Sequence, residues 1–474
     1  MSVSSVYFLL FAIAAAALHG VWRNTMWRSA VMLVANLAFI ASFTHSPRAL
    51  LPLFSFLLLG YVAVCIARFT SSAWASTLFA IGTLVIFCWL KKYWFLSFAG
   101  FLPFVYLTIG LSYAFFRVMG MIVDARTEPQ IARVGPVDYF NFAMNFPTMV
   151  AGPIDRYQDF AKPGAPVTGV DIGEALQRIA LGFFKLLVLS ALVSVRQTAG
   201  TAALLRAGHG TAAVWPAVVS FGLYPVYLYF NFSGYTDIVL GIGRLFGKRY
   251  PENFNAPFSS YNFIEFWSRW HMSLSFWLRD YVYTPLLKRS MQMELPRAAD
   301  AYLGVAAYFV TFFLIGIWHG STAIFAVYGL VLALGVSVNK LYQATMTKNL
   351  TKKGYRELSA QPLYRWVCRG LTYTFYSFSM ICFWNTGATA TRMVGTLGSV
   401  GFAAAFFALL AVVIVLLNVF ETAREAVQAH VSADWFGSYA PYARAITFSL
   451  LVFACIANAI LTQRIDANIV YQAF

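Results

Sequence analysis

The feature that most constrains the fold of this chain is a succession of long apolar runs that recurs along nearly its whole length. A helix that crosses a bilayer needs about 20 mostly apolar residues. Runs of about that length lie near residues 4–22, 29–45, 49–68, 73–90, 102–123, 174–195, 212–240, 300–317, 322–342, 366–386, 399–419 and 441–461. The pattern predicts an all-α polytopic membrane protein with about 11–12 transmembrane helices.

The charge content supports this prediction and limits the possible partners. Only 11% of the residues are charged, whereas soluble domains carry about 25%. The first run lacks a basic leader and is followed by further runs, so we interpret it as a retained transmembrane helix and not as a cleaved signal. The net charge of +16 comes without a basic tail or a nucleic-acid-binding signature, so we expect anionic lipid and no nucleic acid to face the cationic loops.

The positive residues also predict an orientation. They are concentrated in 244–299 and 343–365, two segments separated by two apolar runs, so we expect both to be cytoplasmic loops. This orientation places Arg23 inside and the N-terminus outside, although it also leaves Lys91 and Lys92 outside, against the rule.

One segment, 253–283, is both aromatic and charged. Asn262 and Glu265 form a pattern similar to a capping box, which predicts a helix that begins near Asn262. The residues that then recur at helical spacing are Trp267, Trp270, His271, Leu274, Trp277, Leu278 and Tyr281. We therefore expect one continuous helix with His271 in an indole-rich stripe and Arg269 on another face. The alternative is an interfacial helix in which His271 has no functional role.

A second histidine, His319, ends a later apolar run in the sequence Gly316-Ile317-Trp318-His319-Gly320. A titratable ring at membrane depth is costly to desolvate, which makes it a functional candidate.

Two polar islands interrupt the apolar pattern. Segment 138–160 is too short and too broken by proline and glycine to span a bilayer, so it predicts a re-entrant segment whose backbone is satisfied by protein or water. Segment 229–237 places Asp237 near the end of an apolar run. Asp237 is either a functional carboxylate or a charge that is paired with a neighbouring arginine.

The side chains themselves leave two kinds of chemistry open. The five cysteines show no ligand spacing, so neither a disulfide framework nor a metal site is expected. No P-loop, GxSxG, HExxH or GxGxxG motif occurs. Acyl transfer to a hydroxyl fits, because one neutral histidine can accept the proton of the acceptor. Proton-coupled solute transport fits equally well, because it also uses histidine and aspartate within the membrane.

Four motifs together resemble the membrane-bound O-acyltransferase (MBOAT) superfamily in order and spacing. They are FPT with GPIDRY at 146–157, NFSGYTDI at 231–238, the stretch 253–283, and GIWHG at 316–320. The similarity runs over about residues 109–342, which we expect to form the catalytic core of a single membrane domain, 1–474. The resemblance implies that His319 is the catalytic residue and that His271 is its upstream partner.

Within the superfamily, the chain is similar to the bacterial branch that modifies cell-envelope polymers. This branch includes proteins of teichoic acid D-alanylation and, as near relatives, proteins of alginate and cellulose O-acetylation. The latter are expected to carry Tyr-Ile-Pro-Leu-Gly-Gly after the WLRDY element, whereas this chain has YTPLLK at 283–288. This departure weakens the acetylation assignment.

The resemblance also implies an architecture and a set of partners. Helices, with re-entrant and interfacial segments, would form a ring around a central funnel in the cytoplasmic (inner) membrane. The acyl donor would be a cytoplasmic thioester on a phosphopantetheine carrier protein or on coenzyme A, with no bound cofactor. The acceptor would be an extracytoplasmic polymer or partner protein. Lys288 and Arg289 would form part of the donor-docking surface, since carriers of this kind are acidic.

The remaining expected site residues are supporting groups and tunnel walls. The supporting groups are Asp237, Asn255 and Arg269, and the walls are Trp267, Trp270, Trp277 and Trp318. Gly316 and Gly320 either leave room for a thin acyl-bearing arm or allow close helix packing. The rival functions are a proton-coupled transporter and a non-catalytic scaffold of a polymer synthase.

Overall fold

The computed structural model describes residues 3, 5–70, 73–293, 300–430 and 440–462. Arg297, which belongs to the predicted basic loop 244–299, lies outside the described residues. The α-helices are, in chain order, α1 Val6–Val21, α2 Thr25–Ala41, α3 Pro47–Phe69, α4 Ala73–Leu90, α5 Leu111–Asp124, α6 Pro129–Ala132, α7 Pro136–Met144, α8 Tyr157–Phe160, α9 Gly169–Phe183, α10 Ser190–Arg206, α11 Val214–Leu245, α12 Phe263–Arg269, α13 Met272–Leu278, α14 Thr284–Met291, α15 Asp300–Trp318, α16 Ile324–Ala360, α17 Pro362–Ser379, α18 Ile381–Trp384, α19 Gly387–His430 and α20 Ala440–Thr462.

Short helical turns of other types connect several of these helices. Turns of 3₁₀-helix lie at Trp94–Ala99, Phe146–Thr148, Thr211–Ala213 and Pro257–Ser259. Turns of π-helix lie at Phe184–Leu189, between α9 and α10, and at Arg279–Tyr283, between α13 and α14. In the described part of the chain the only β-type pairing is one isolated antiparallel bridge, between Phe254 and Trp270.

The helices confirm an all-α polytopic membrane protein. Among the described residues, six helical segments are long and apolar enough to span a membrane. They are 47–69, 169–206, 211–245, 324–360, 387–427 and 443–462. Four shorter apolar helices are Val6–Val21, Thr25–Ala41, Trp74–Leu90 and Tyr302–Trp318.

Two predicted segments differ from the structure. The apolar run 102–123 is helical only from Leu111, because Gly110 adopts a left-handed conformation (φ 78°) directly before α5. The predicted loop 343–365 is instead mostly helical, since α16 continues to Ala360 with a backbone break at Thr351 (φ 63°, ψ 166°).

The chain forms two compact units, each built from segments that are distant in sequence. The first unit consists of the described residues in 1–188, 231–252 and 447–474, and the second of 189–230 and 253–446. The helices α11 and α20 each continue from one unit into the other. The boundaries at 230/231 and 446/447 therefore fall within helices, whereas the boundary at 252/253 falls in a non-helical segment.

In the first unit, a buried segment that includes the end of α7 and the irregular backbone after it is held by side chains from neighbouring helices. Residues 141–155 are all buried. The buried guanidinium of Arg117 donates from Nη1 to the carbonyl oxygen of Ala143 (3.2 Å) and from Nη2 to that of Thr148 (2.9 Å). Asn36 Oδ1 accepts from the backbone N–H of Phe146 (2.8 Å). These contacts confirm that protein groups satisfy the backbone of the proline- and glycine-broken segment.

The second unit contains a tightly packed helical pair, α15 and α16. A Cβ atom built on Gly316 would lie 2.0 Å from the Cα atom of Gly329, so the two backbones touch at this crossing. Small residues permit such close approach between helices in membranes. The crossing holds the last turn of α15 in place, and this turn ends at Trp318 and is followed directly by His319.

Candidate active site

The segment around His271 is two helices and not one. The predicted helix start is confirmed, since Asn262 Oδ1 accepts from the N–H of Glu265 (2.8 Å) and Glu265 Oε2 accepts from the N–H of Tyr261 (3.2 Å). The continuous helix is wrong, because α12 ends at Arg269 and α13 begins at Met272. His271 lies between them in a left-handed conformation (φ 44°, ψ 52°). For a residue other than glycine this conformation costs roughly 1–2 kcal/mol.

A pairing with an earlier part of the chain explains the break. The N–H of Asn255 donates to the carbonyl oxygen of Arg269 (3.0 Å), and the N–H of Met272 donates to that of Asn253 (3.0 Å). Asn253 Oδ1 also accepts from the N–H (3.2 Å) and from the hydroxyl (2.7 Å) of Ser273. These hydrogen bonds hold the backbone on both sides of His271 and offset the cost of its conformation.

His319 lies directly after α15 in a tightened final turn. Its N–H donates to the carbonyl oxygen of Gly316 (3.2 Å), and the N–H of Gly320 donates to that of Ile317 (3.3 Å). The short-range bonds satisfy carbonyls that the end of a helix would otherwise leave without partners.

The imidazole of His319 sits among aromatic rings. The ring centroids lie 4.8 Å from the Trp318 ring, 5.1 Å from the Phe383 ring and 5.9 Å from the Tyr328 ring. Only 2% of His319 is exposed. The aromatic side chains therefore separate this ring from bulk water.

The imidazole rings of both histidines lie next to the indole of Trp318. The centroid of the His271 ring lies 6.3 Å from that of Trp318, with the two planes inclined at 63°. His271 is only 1% exposed. The structure thus brings together the two residues that the sequence singled out, although they are 48 positions apart in the chain.

The tryptophans upstream of His271 form an aromatic cluster behind it. Trp267 packs on Phe312 with ring centroids 5.4 Å apart, and Trp270 packs on Phe266 at 5.6 Å. Both indoles are buried. Trp277, on α13, packs instead on Tyr281 at 4.7 Å. The cluster surrounds the α12–α13 break with hydrophobic side chains and favours a rigid turn at His271.

Asp237 is an ion-paired residue of the first unit. Lys185 Nζ donates to Asp237 Oδ2 (2.6 Å), and Arg178 Nε donates to Asp237 Oδ1 (3.1 Å). Arg178 also forms hydrogen bonds with Glu252. The interpretation of Asp237 as a charge paired with a neighbouring arginine is therefore confirmed.

The other expected supporting residues lie at the surface or near it. Arg269 pairs with Glu265 one helical turn earlier (2.8 Å), and about one third of its side chain is exposed. Asn255 is exposed and contributes its backbone N–H to the pairing described above. Lys288 and Arg289 are exposed in the last turn of α14.

The two glycines that flank Trp318 and His319 are packing residues. A Cβ atom on Gly320 would lie 2.1 Å from the Phe325 ring, and the place beside Gly316 is filled by Gly329. These contacts favour the packing alternative at both positions, and the passage of an acyl arm beside the glycines stays a prediction. Neighbouring side chains and backbone fill the space that the missing Cβ atoms vacate.

The residues that sequence reasoning missed are Asn253 and Ser273 beside His271, and Tyr328 and Phe383 beside His319. Asn253 and Asn255 are indistinguishable as candidates in the sequence NFN, and only the pairing with 269–273 shows which of them is buried. Among the described residues, no group of three or more His, Cys, Asp or Glu side chains could hold a metal ion.

The motifs around these two histidines place the chain among known proteins. The sequence model of the membrane-bound O-acyltransferase family, MBOAT, matches residues 39–383. The chain belongs to the MBOAT family. The matched region includes both histidines and the whole of the predicted core, 109–342, and it extends well beyond that core on both sides.

Individual MBOAT relatives are bacterial proteins of cell-envelope polymer modification. The teichoic acid D-alanyltransferase of Streptococcus thermophilus is 30% identical over 258 residues, which is 53% of this chain and 61% of the relative. That of Bacillus subtilis is 29% identical over 282 residues, 58% of this chain and 67% of the relative. The probable alginate O-acetylase AlgI of Pseudomonas aeruginosa is 34% identical over 231 residues, 48% of this chain and 41% of the relative. The aligned stretch therefore spans only part of each relative.

Proposed function

We propose that this protein is an integral-membrane O-acyltransferase that moves an acyl group, D-alanyl or acetyl, from a cytoplasmic thioester to a hydroxyl of a cell-envelope polymer or of a partner protein. The observation that carries the proposal is that two buried imidazoles, those of His271 and His319, both lie next to one indole, that of Trp318. Membership of the MBOAT family and the names of the bacterial relatives support the reaction class.

In this proposal His319 is the general base. Its neutral imidazole accepts the proton of the acceptor hydroxyl while the hydroxyl oxygen attacks the thioester carbonyl. The C–S bond then breaks, and the thiolate that leaves receives the proton from the imidazolium. The net change is one C–S bond exchanged for one C–O bond, with the histidine returned to its neutral form.

The aromatic surroundings of His319 give it a second role. A thioester competes with water as well as with the acceptor, and hydrolysis would waste the activated acyl group. The rings of Trp318, Tyr328 and Phe383 exclude water from the imidazole and so favour transfer over hydrolysis. His271, which also lies next to Trp318, orients or assists the reacting groups.

The donor in this proposal approaches from the cytoplasm. A phosphopantetheine carrier protein or coenzyme A is negatively charged, and Lys288 and Arg289 offer it exposed positive charge at the end of α14. The acceptor side is extracytoplasmic, as expected for a protein of the bacterial inner membrane that modifies envelope polymers.

The decisive experiment removes His319. Purified protein in lipid nanodiscs is given a labelled acyl thioester with a hydroxyl acceptor, and transfer of the label is followed over time. We expect His319→Ala to lower turnover by about 10²–10⁴-fold, the usual contribution of a general base, while the protein still folds. The matched control is His209→Ala, since His209 is an exposed histidine of the same unit.

Near-normal turnover in His319→Ala would refute the assignment of the base. Proton-coupled solute flux by the wild-type protein, with no acyl transfer from any thioester, would support the transporter alternative. Normal polymer modification in cells that carry only His319→Ala would support the scaffold alternative.

A further inference from the structure

We propose that Asn253 is a positioning residue that holds His271 in its left-handed conformation beside Trp318, and that the site loses its geometry without it. This inference rests on the proposed function, because it assigns a role in acyl transfer to the turn between α12 and α13. Asn253 acts through the backbone around His271 and not on the substrate.

Asn253 forms hydrogen bonds with both of the residues that follow His271. Its backbone oxygen accepts from the N–H of Met272 (3.0 Å). Its side-chain oxygen accepts two further hydrogen bonds, from the N–H (3.2 Å) and the hydroxyl (2.7 Å) of Ser273. Asn253 itself is fully buried, with 0% of its surface exposed. Water therefore offers no replacement partners if the side-chain oxygen is removed.

The local sequence favours a different conformation from the one observed. Apolar and aromatic residues recur at helical spacing through the break, which is why the sequence predicts a continuous helix from Asn262 onward. A continuous helix would require right-handed backbone angles at His271. The observed angles (φ 44°, ψ 52°) are ones that side chains other than glycine rarely adopt. The turn therefore needs an external constraint that opposes the local preference.

Asn253 supplies that constraint at the first two residues of α13. With Met272 and Ser273 bonded to Asn253, their N–H groups cannot bond to carbonyls one turn earlier in α12, so α12 cannot extend into α13. Without the side-chain oxygen, the N–H of Ser273 becomes available to continue the helix. The His271 ring would then rotate about the helix axis, away from the Trp318 ring that it now contacts at 6.3 Å.

The test compares a buried and an exposed asparagine of the same unit. Asn253→Leu removes the acceptor oxygen at similar volume, and Asn349→Leu is the matched control because Asn349 is exposed on α16 and has no part in the site. The full-length protein in nanodiscs is assayed for kcat and for KM of the acyl thioester. We expect Asn253→Leu to lower kcat by about 10–100-fold with KM little changed, as for a misplaced catalytic group. Asn349→Leu should match the wild type in both constants.

A double-mutant cycle with His271→Gly separates positioning from general support of the fold. Glycine removes the imidazole and adopts the left-handed conformation freely. If Asn253 acts through His271, Asn253→Leu should cause no further loss of kcat in the His271→Gly background, measured by product accumulated over long incubations. An equal loss in both backgrounds would overturn the proposal.

Two further outcomes keep the result interpretable. If Asn253→Leu does not yield folded protein, Ser273→Ala replaces it, because that change deletes only the hydroxyl donor of the 2.7 Å bond. A smaller loss of kcat is then expected, and unchanged kcat would overturn the proposal.

If His319→Ala abolishes transfer while Asn253→Leu retains full kcat, the positioning role fails and the acyltransferase function stands. If His319→Ala is also fully active, the proposed function itself fails.

Discussion

The crossing of α15 and α16 at Gly316 gives a quantitative prediction about how the His319 turn is supported. A Cβ atom on Gly316 would lie 2.0 Å from Gly329 Cα and 2.2 Å from its nitrogen. An ordinary contact begins at 3.4 Å, so the two helices would have to separate by about 1.4 Å. The atoms that clash are backbone atoms, which cannot rotate away as a side chain can. We therefore expect Gly316→Ala to lower the free energy of unfolding by about 1–3 kcal/mol or more, the cost of overpacking a rigid contact.

The same displacement should reach the active site. His319 follows Gly316 by three residues and its N–H bonds to the Gly316 carbonyl oxygen, so a shift of the helix end moves the imidazole. A misplacement of about 1 Å can lower turnover by about 10²-fold. Gly316→Ala should therefore lose stability and turnover together.

The assay is thermal unfolding of the purified protein in detergent, followed by intrinsic tryptophan fluorescence, alongside acyl transfer in nanodiscs. Gly395→Ala is the matched control, because a Cβ atom on this glycine of α19 would have no neighbour within 4 Å. The control should be neutral or more stable by up to about 1 kcal/mol, since alanine favours helix over glycine. Equal stability of the two variants would refute the packing account. Lost turnover at unchanged stability would instead restore the idea of an open passage at Gly316.

Three other predictions follow from contacts described above. His271→Gly should be more stable than His271→Ala by about 1–2 kcal/mol in thermal unfolding, because the left-handed backbone at position 271 is strained for alanine and not for glycine. The opposite order of stability would contradict the left-handed conformation of this residue. Reversing both charges at Lys288 and Arg289 should raise the apparent KM for an acidic carrier at low salt. The difference in KM from the wild type should shrink as salt screens the attraction. Equal KM values at low salt would exclude docking on these two residues. Asp237→Asn should lower the unfolding free energy by about 3 kcal/mol or more, because Arg178 and Lys185 then lose the carboxylate that they share. The kcat of the folded protein should be unchanged. Adding Lys185→Met to the Asp237→Asn protein should restore part of the lost stability. A fall in kcat at full stability would give Asp237 a catalytic role instead.

Local sequence patterns predicted much of the fold and singled out the two histidines that the structure brings together. Apolar run length identified most of the helices, since burial of about 20 apolar residues in lipid is decided locally. The Asn262 cap was predictable for the same reason, because its partner Glu265 lies three residues away. His271 and His319 stood out because a titratable ring among apolar residues is rare whatever its tertiary contacts are.

The features that sequence reasoning missed depend on contacts between distant parts of the chain. The break at His271 arises from hydrogen bonds to Asn253, a residue 18 positions earlier, and these override the helical spacing around it. The choice between Asn253 and Asn255 also depends on this pairing. The packing role of Gly316 requires Gly329 on another helix, and no property of the GIWHG motif distinguishes a glycine that opens a passage from one that closes a helix contact.

The buried segment 141–155 restricts the order in which this chain can mature during synthesis. Its backbone partners come from widely separated parts of the chain, since the N–H of Phe146 bonds to Asn36 and that of Ala151 bonds to the Tyr235 hydroxyl, 84 residues later. Polar backbone cannot remain unsatisfied in hydrocarbon. The hydrogen bond of Ala151 can therefore form only after α11 has been synthesised, and until then its N–H needs another partner, such as water or the insertion machinery.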